Sequence, residues 1–308
     1  MSMLERIRPS EAPTAFRLYL TDELRAAPLA QEIENAFFQS ITLRNGTQKT
    51  TWHRRLDDLN ALSERCLPAA RPLEILDVAI SSGVSTLEWL EALDRAGIAS
   101  RITAGDAIVD AFLLTAGPLR ALIDRTGYLM QLDIAGQAVR TPPPRRRDRL
   151  RYAPLLLFMK AAAGLFRAER RAGMAPGEIR VRLGLSCRAL KLISRSLIGH
   201  PRIETLEDDI LSDQRWERRF HVIRAANILN HAYFGRALLT RMLLNLRSRL
   251  AEGGLLIVCR TSDEGRNHAT LFRLRADRGF EVAATLNDGS EVAELVLCLP
   301  PEARPPVS

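Results

Sequence analysis

Residues 73–93, LEILDVAISSGVSTLEWLEAL, limit the fold more than any other stretch. LEILDVAI is apolar apart from Glu74 and Asp77 and rich in Ile and Val, as a strand buried on both faces would be. A Ser-Ser-Gly turn follows, then Val84, Leu87, Leu90 and Leu93 at helical spacing. Open α/β sheets use this unit of strand, small-residue turn and helix to hold nucleotide-like ligands.

The rest of the chain can be read around that unit. Residues 1–70 carry apolar positions at three- and four-residue spacing, which predicts a helical N-terminal cap ended by PAARP at 68–72. Strands and helices then alternate. SRITAGD is a second strand, RIETLEDDIL a third, RFHVIRAANIL a fourth and LLIVCRT a fifth. FGRALLTRMLLNLRSRLAEGG reads as a long helix stopped at Gly253-Gly254. VDAFLLTAGPLRALID reads as a helix interrupted at Gly117-Pro118. TLFRLRA, GFEVAATLN and EVAELVLCL read as closely spaced final strands, an antiparallel arrangement at one sheet edge. Such alternation implies a mainly parallel sheet with right-handed crossovers. Residues 127–201 interrupt it with a hairpin turning at Ala135-Gly136, an arginine-rich linker and an apolar helix candidate.

Composition excludes several classes. No uninterrupted apolar run reaches about 18 residues, the length of a membrane-crossing helix. The first residues lack an apolar signal core, which favours a cytoplasmic protein. Cys66, Cys187, Cys259 and Cys298 form no CxxC pair, which argues against a zinc site or a disulfide framework. The net charge of +8 comes from arginines spread along the chain, so a nucleic-acid partner is disfavoured for want of a localised footprint. Phosphate-loop, nucleophile-elbow and HExxH motifs are absent.

With its strands in this order, the chain from about 73 to 299 resembles the class I S-adenosylmethionine-dependent methyltransferases. In that family the first strand ends in acid-x-Gly-x-Gly-x-Gly. Here the same positions hold Asp77, Ala79, Ser81 and Gly83, with Ser82 between the last two. The resemblance implies a Rossmann-like α/β fold: a seven-stranded mixed sheet with an antiparallel edge strand, the helical cap at 1–70, and a methyltransferase-like domain at 71–308 carrying the insertion 127–201 between strands two and three. It also implies S-adenosylmethionine as cofactor. Asp77 and the turn would contact it, Asp106 would accept from the ribose hydroxyls, and Asp209 (with Asp208 as the other candidate) would meet the adenine amino group. Ile210 would pack on the ring. The run FHVIRAANILNHAYF is similar to the fourth strand of chemotaxis receptor glutamate methyltransferases, which places Asn227 near the sulfonium and Asn230, His231 and Tyr233 toward the acceptor.

Methyl transfer needs positioning first, and a base only where the acceptor carries a proton. His231 is the leading base, while His221 within the strand reads equally well as structural. Acceptor choice falls to the insertion. Residues 140–151 hold six arginines and one acid, and 152–166 are apolar except for Lys160. As a helix those 15 residues reach roughly 22 Å, short of a bilayer core of about 30 Å. They suit either core or subunit packing or peripheral membrane contact. The expected acceptor is a small molecule or lipid-like compound methylated at oxygen or nitrogen, with a homo-oligomer allowed. The alternatives are a non-catalytic descendant that binds protein or membrane, and an RNA methyltransferase.

Overall fold

The computed structural model describes residues 9–10, 13–21, 30–44, 46, 48–49, 51–139, 157–158, 161–162, 164–212 and 216–300. The basic linker at 140–151 lies outside them, as does part of the apolar stretch 152–166. In chain order the first elements are β1 (Pro9–Ser10), α1 (Ala15–Leu20), α2 (Ala30–Ser40), α3 (Asp57–Glu64), β2 (Leu73–Val78), α4 (Val84–Arg95) and β3 (Ser100–Asp106). Next come β4 (Asp110–Ala116), β5 (Leu119–Asp124), β6 (Leu129–Ile134), β7 (Gln137–Val139), α5 (Ala168–Arg171), β8 (Ile179–Arg182) and β9 (Leu185–Lys191). The last are β10 (Ile203–Glu207), β11 (Phe220–Ala226), α6 (Arg236–Arg249), β12 (Leu250–Thr261), β13 (Asn267–Leu274), β14 (Phe280–Leu286) and α7 (Ala293–Leu297).

Two compact units result, each made of two chain segments. Trp52–Ala107 joins Ser196–Ser308, and Met1–Thr51 joins Ile108–Arg195. The first unit holds a seven-stranded sheet in the order β10-β3-β2-β11-β12-β13-β14. Its first five strands are parallel, β13 runs antiparallel to β12, and the edge strand β14 runs antiparallel to β13. The fold is thus the α/β, Rossmann-like mixed sheet the sequence implies. Leu76 and Val78 of β2 lie under α6 and α7 in one core, with Ile223, Ala225, Leu256, Val258, Leu239, Leu243 and Val296. Alternate residues of β2 face the other side, where α3 and α4 pack. Counted along this unit, the order is 3-2-1-4-5-6-7. The chain therefore leaves β2 on one side and resumes beyond it with β11. That reversal falls at the carboxyl ends of β2 and β11, the kind of position where open α/β sheets bind ligands.

Several local expectations need correction. Residues 110–124 form a hairpin, β4 and β5, turning at Gly117 (φ +55°) and Pro118. EVAELVLCL contributes helix α7 and no strand. Gly253 and Gly254 lie inside β12, because α6 already ends at Arg249. Helices α1 and α2 form no cap of their own. Leu18, Phe37, Phe38 and Ile41 pack against Leu113, Leu122, Met130 and Leu190 of the second unit's antiparallel sheet, ordered β1-β7-β6-β5-β4-β9-β8. The hairpin at Ala135-Gly136 forms as expected, both residues being left-handed as a tight two-residue turn demands. The opposite face of this sheet covers Phe158, Ala162, Leu165 and Phe166, so the described part of the apolar stretch packs on a core.

Candidate functional site

Between β2 and α4 the backbone turns sharply. Ala79 (φ +57°), Ser81 (φ +59°) and Gly83 (φ +83°) all lie in the left-handed region. These are the three positions where the resemblance calls for glycine. The loop keeps a glycine-type backbone although two of its residues carry a Cβ. Gly83 is fixed by space as well as by φ, since a Cβ there would lie 2.4 Å from Leu197 Cδ2. The loop is tied to the neighbouring strand: Ile80 N donates to Gly105 O (3.2 Å), and Ser81 N donates to Asp106 Oδ2 (2.8 Å). Ser82 is buried, and its Oγ meets no hydrogen-bond partner among the described residues. Asn227, at the end of β11, is a fourth left-handed residue on this edge of the sheet (φ +61°).

The acids on the first and third strands do something else. Asp77 stands opposite Arg224 in the register of β2 and β11. Its carboxylate is 3% exposed and takes Arg224 Nε (2.9 Å), Arg224 Nη2 (2.5 Å) and Thr86 Oγ1 (2.8 Å). Arg224 also donates to Asn60 Oδ1 (3.2 Å) and lies over Trp89, with 4.1 Å to the ring centre. Asp77 is therefore the anion of a buried pair under α4, which removes it from the cofactor contacts. Asp208 is likewise buried, bound by Arg249 Nη1 at 2.6 Å. Ile210 is 7% exposed and belongs to the core beneath α6, so it offers no free face to a ring. Asp209 stays exposed, its Oδ1 accepting from Leu211 N (2.9 Å) in a tight turn.

On the fourth strand, Asn227 ties β11 to β12. Its Oδ1 accepts from Thr261 N (2.7 Å) and its Nδ2 donates to Thr261 Oγ1 (3.3 Å). Asn230 is buried and closes the following turn, accepting from Tyr233 N at 3.0 Å. His231 and Tyr233 are exposed, and the His231 ring makes no hydrogen bond among the described residues. His221 is structural, its Nδ1 accepting from Glu74 N at 3.0 Å.

Sequence reasoning missed two groups on this edge. One centres on Arg55, which donates through Nε to Thr261 Oγ1 (3.1 Å) and lies 4.2 Å over Trp52; burial lowers its pKa. The other is a cavity of about 400 Å³ at the end of β12 and the start of β13, lined by Arg260, Ser262, His268, Asp288 and Glu291 among others. There His268 Nδ1 lies 3.2 Å from Asp288 Oδ2. Both carboxylate oxygens of Glu291 accept from Arg260 Nη1 (3.0 and 2.9 Å), and Oε1 also accepts from the His231 amide (3.2 Å). No motif marks either group, because Trp52, Arg55, His268 and Asp288 are brought together by the sheet and not by spacing.

Among the described residues no cluster suits a metal ion, and no helix is long and apolar enough to cross a membrane. No protein-family model and no curated protein matches the sequence. Among solved structures, the CMeT domain of the citrinin polyketide synthase is 15% identical, covering 79% of this chain and 42% of that one, with a TM-score of 0.35. An S-adenosylmethionine-dependent methyltransferase from Mesorhizobium loti is 11% identical, covering 68% and 55%, with a TM-score of 0.30. The [4+2]-cyclase SpnF is 14% identical, covering 70% and 50%, with a TM-score of 0.31. This chain thus spans about half the length of these structures. Likeness at this level says nothing of activity; the wound α/β fold stands on the sheet order.

Proposed function

We propose that the wound unit is an S-adenosylmethionine-dependent methyltransferase acting on a small-molecule or lipid-like acceptor at oxygen or nitrogen. The observation that carries this reading is the left-handed backbone at 79, 81 and 83. For Ala and Ser that conformation costs roughly 1–2 kcal/mol each relative to glycine. Strain of this kind persists where the surroundings impose it, and it gathers at binding sites. Bound there, the cofactor would supply an electrophilic methyl group. The protein's share is placement. Small residues at 79 and 81–83 would let the backbone approach the ligand, and Asp106, half-buried and accepting from Ser81 N, would take the ribose hydroxyls. The exposed Asp209 is the acid left for the adenine end. Where the acceptor carries a proton, His268 is better set than His231 to take it. Its Nδ1 is oriented by Asp288 and its ring lines a cavity.

A second reading, a non-catalytic relative, draws on the same geometry. Asp77 and Asp208 are both spent on buried arginines, and His231 and Tyr233 stand in solvent. Calorimetric titration with S-adenosylmethionine and S-adenosylhomocysteine separates the two. The methyltransferase reading expects micromolar binding that Asp106→Ala weakens at least tenfold. No heat with either ligand from folded wild-type protein would sink it.

A further inference from the structure

Three tight hairpin turns close at one end of the antiparallel unit's sheet: Gly117-Pro118 between β4 and β5, Ala135-Gly136 between β6 and β7, and Leu183-Gly184 between β8 and β9. The register makes them level. Ala116 lies opposite Leu119, Leu119 opposite Ile134, and Thr115 opposite Ser186. Residues 116–119, 134–137 and 183–186 carry no charge. Among the described residues Leu183 is the most exposed large apolar side chain, at 82%, and Val181 and Ile179 follow on one face of the edge strand β8 at 71% and 47%. Exposure of apolar groups thus rises toward the tip. Leu183 (φ +49°) and Gly184 (φ +75°) are both left-handed, as a two-residue turn requires, and Asn, Asp or Gly meet that requirement at less cost. The turn itself gives no reason for a leucine, whereas an apolar contact at the tip does.

Positive charge stands directly behind the tip. Arg180, Arg182 and Arg188 lie on the same hairpin, within four residues of its turn, or roughly 13 Å at strand rise. Glu178, the acid at the base of β8, is bound by Arg180 at 2.8 Å. Although arginines occur along the whole chain, residues 108–195 hold 17 Lys and Arg against 6 Asp and Glu, so this stretch alone exceeds the chain's net +8. Such charge drives two copies of the unit apart. It would suit a nucleic acid, but a phosphate backbone offers nothing to an apolar tip. A lipid surface answers both features, with anionic headgroups level with the arginines and acyl chains beyond them. We infer that this end of the sheet is a docking surface for an anionic membrane. Leu183 and Val181 enter the boundary between headgroups and acyl chains, and Arg180, Arg182 and Arg188 stay among the headgroups.

The full chain should sediment with vesicles of phosphatidylserine and phosphatidylcholine in equal parts at least tenfold more strongly than with phosphatidylcholine alone. Residues 140–151 attract an anionic surface through charge whatever the tip does, so a substitution isolates the tip. Leu183→Asn supplies a residue that accepts the left-handed turn. It should weaken vesicle binding roughly tenfold, the share of one buried leucine, with an unchanged or raised Tm. Leu183→Trp should show blue-shifted emission quenched by lipids brominated on their acyl chains, while wild-type emission stays unquenched. Failure to sediment with the mixed vesicles, undiminished binding by Leu183→Asn, or Leu183→Trp emission unmoved by brominated lipid would each overturn the assignment. So would binding of duplex RNA in place of vesicles.

Discussion

Ala79 and Ser81 hold a backbone that glycine adopts freely and other residues resist. Ala79→Gly should relieve roughly 1–2 kcal/mol of conformational cost while adding about 0.5–1 kcal/mol of unfolded-chain entropy. The variant should therefore gain up to about 1.5 kcal/mol, seen as a higher urea midpoint with an unchanged slope. A lower midpoint would mean the left-handed φ at 79 carries no strain. The glycine-like spacing was legible in the sequence because only small residues occupy 79 and 81–83. The fate of Asp77 was not. An acid at a strand end reads the same whether it faces a ligand or a buried arginine, and the pairing with Arg224 is set by the register of β2 and β11, 147 residues apart.

That pair fastens an element. Arg224 reaches from β11 to Asp77 on β2, to Asn60 on α3 and to Ser85 O in the first turn of α4. Asp77→Asn leaves a buried guanidinium without its counterion, a loss of about 3–5 kcal/mol. For a unit of this size the Tm should drop by roughly 10 °C in a circular-dichroism melt. Joining Asp77→Leu to Arg224→Met should recover most of it, since the charge is then removed with its partner. A shift below about 2 °C for Asp77→Asn would show that the pair is dispensable. At this scale the sequence misled where strands are covered on both faces. In β4, Phe112 and Leu114 enter one core while Ala111 and Leu113 enter the other, so DAFLLTA shows no alternation and looks helical. The β2 run escaped that ambiguity because its turn and the helix after it punctuate it.

Across the whole molecule the four thiols divide by burial. Cys259 is pushed up to about 12 and Cys187 to about 11, chiefly by burial, while Cys298 is exposed and Cys66 half-buried. A thiol-disulfide reagent at pH 8 should therefore label two cysteines in native protein and four in denaturant. Above about pH 8.5 the unfolded chain loses thiol protons that the folded chain keeps, so these two residues make stability fall as pH rises toward 11 and 12. The division into two units has a sharper consequence. The insertion leaves and returns along one line, with Leu192 N donating to Val109 O at 2.7 Å, and the buried Lys49 ammonium donates to Ile108 O (2.7 Å) and Leu192 O (3.3 Å) beside it. Its two ends are thus already adjacent, and the wound unit keeps its own core without it. A chain joining 52–109 to 192–308 through a short Gly-Ser segment should fold cooperatively. On the proposed reading it should bind S-adenosylmethionine within about threefold of the full chain, since Ala79, Ser81, Gly83, Asp106 and Asp209 all remain. Loss of cofactor binding in a well-folded excised chain, where the full chain binds, would mean that residues of the antiparallel unit complete the cofactor site.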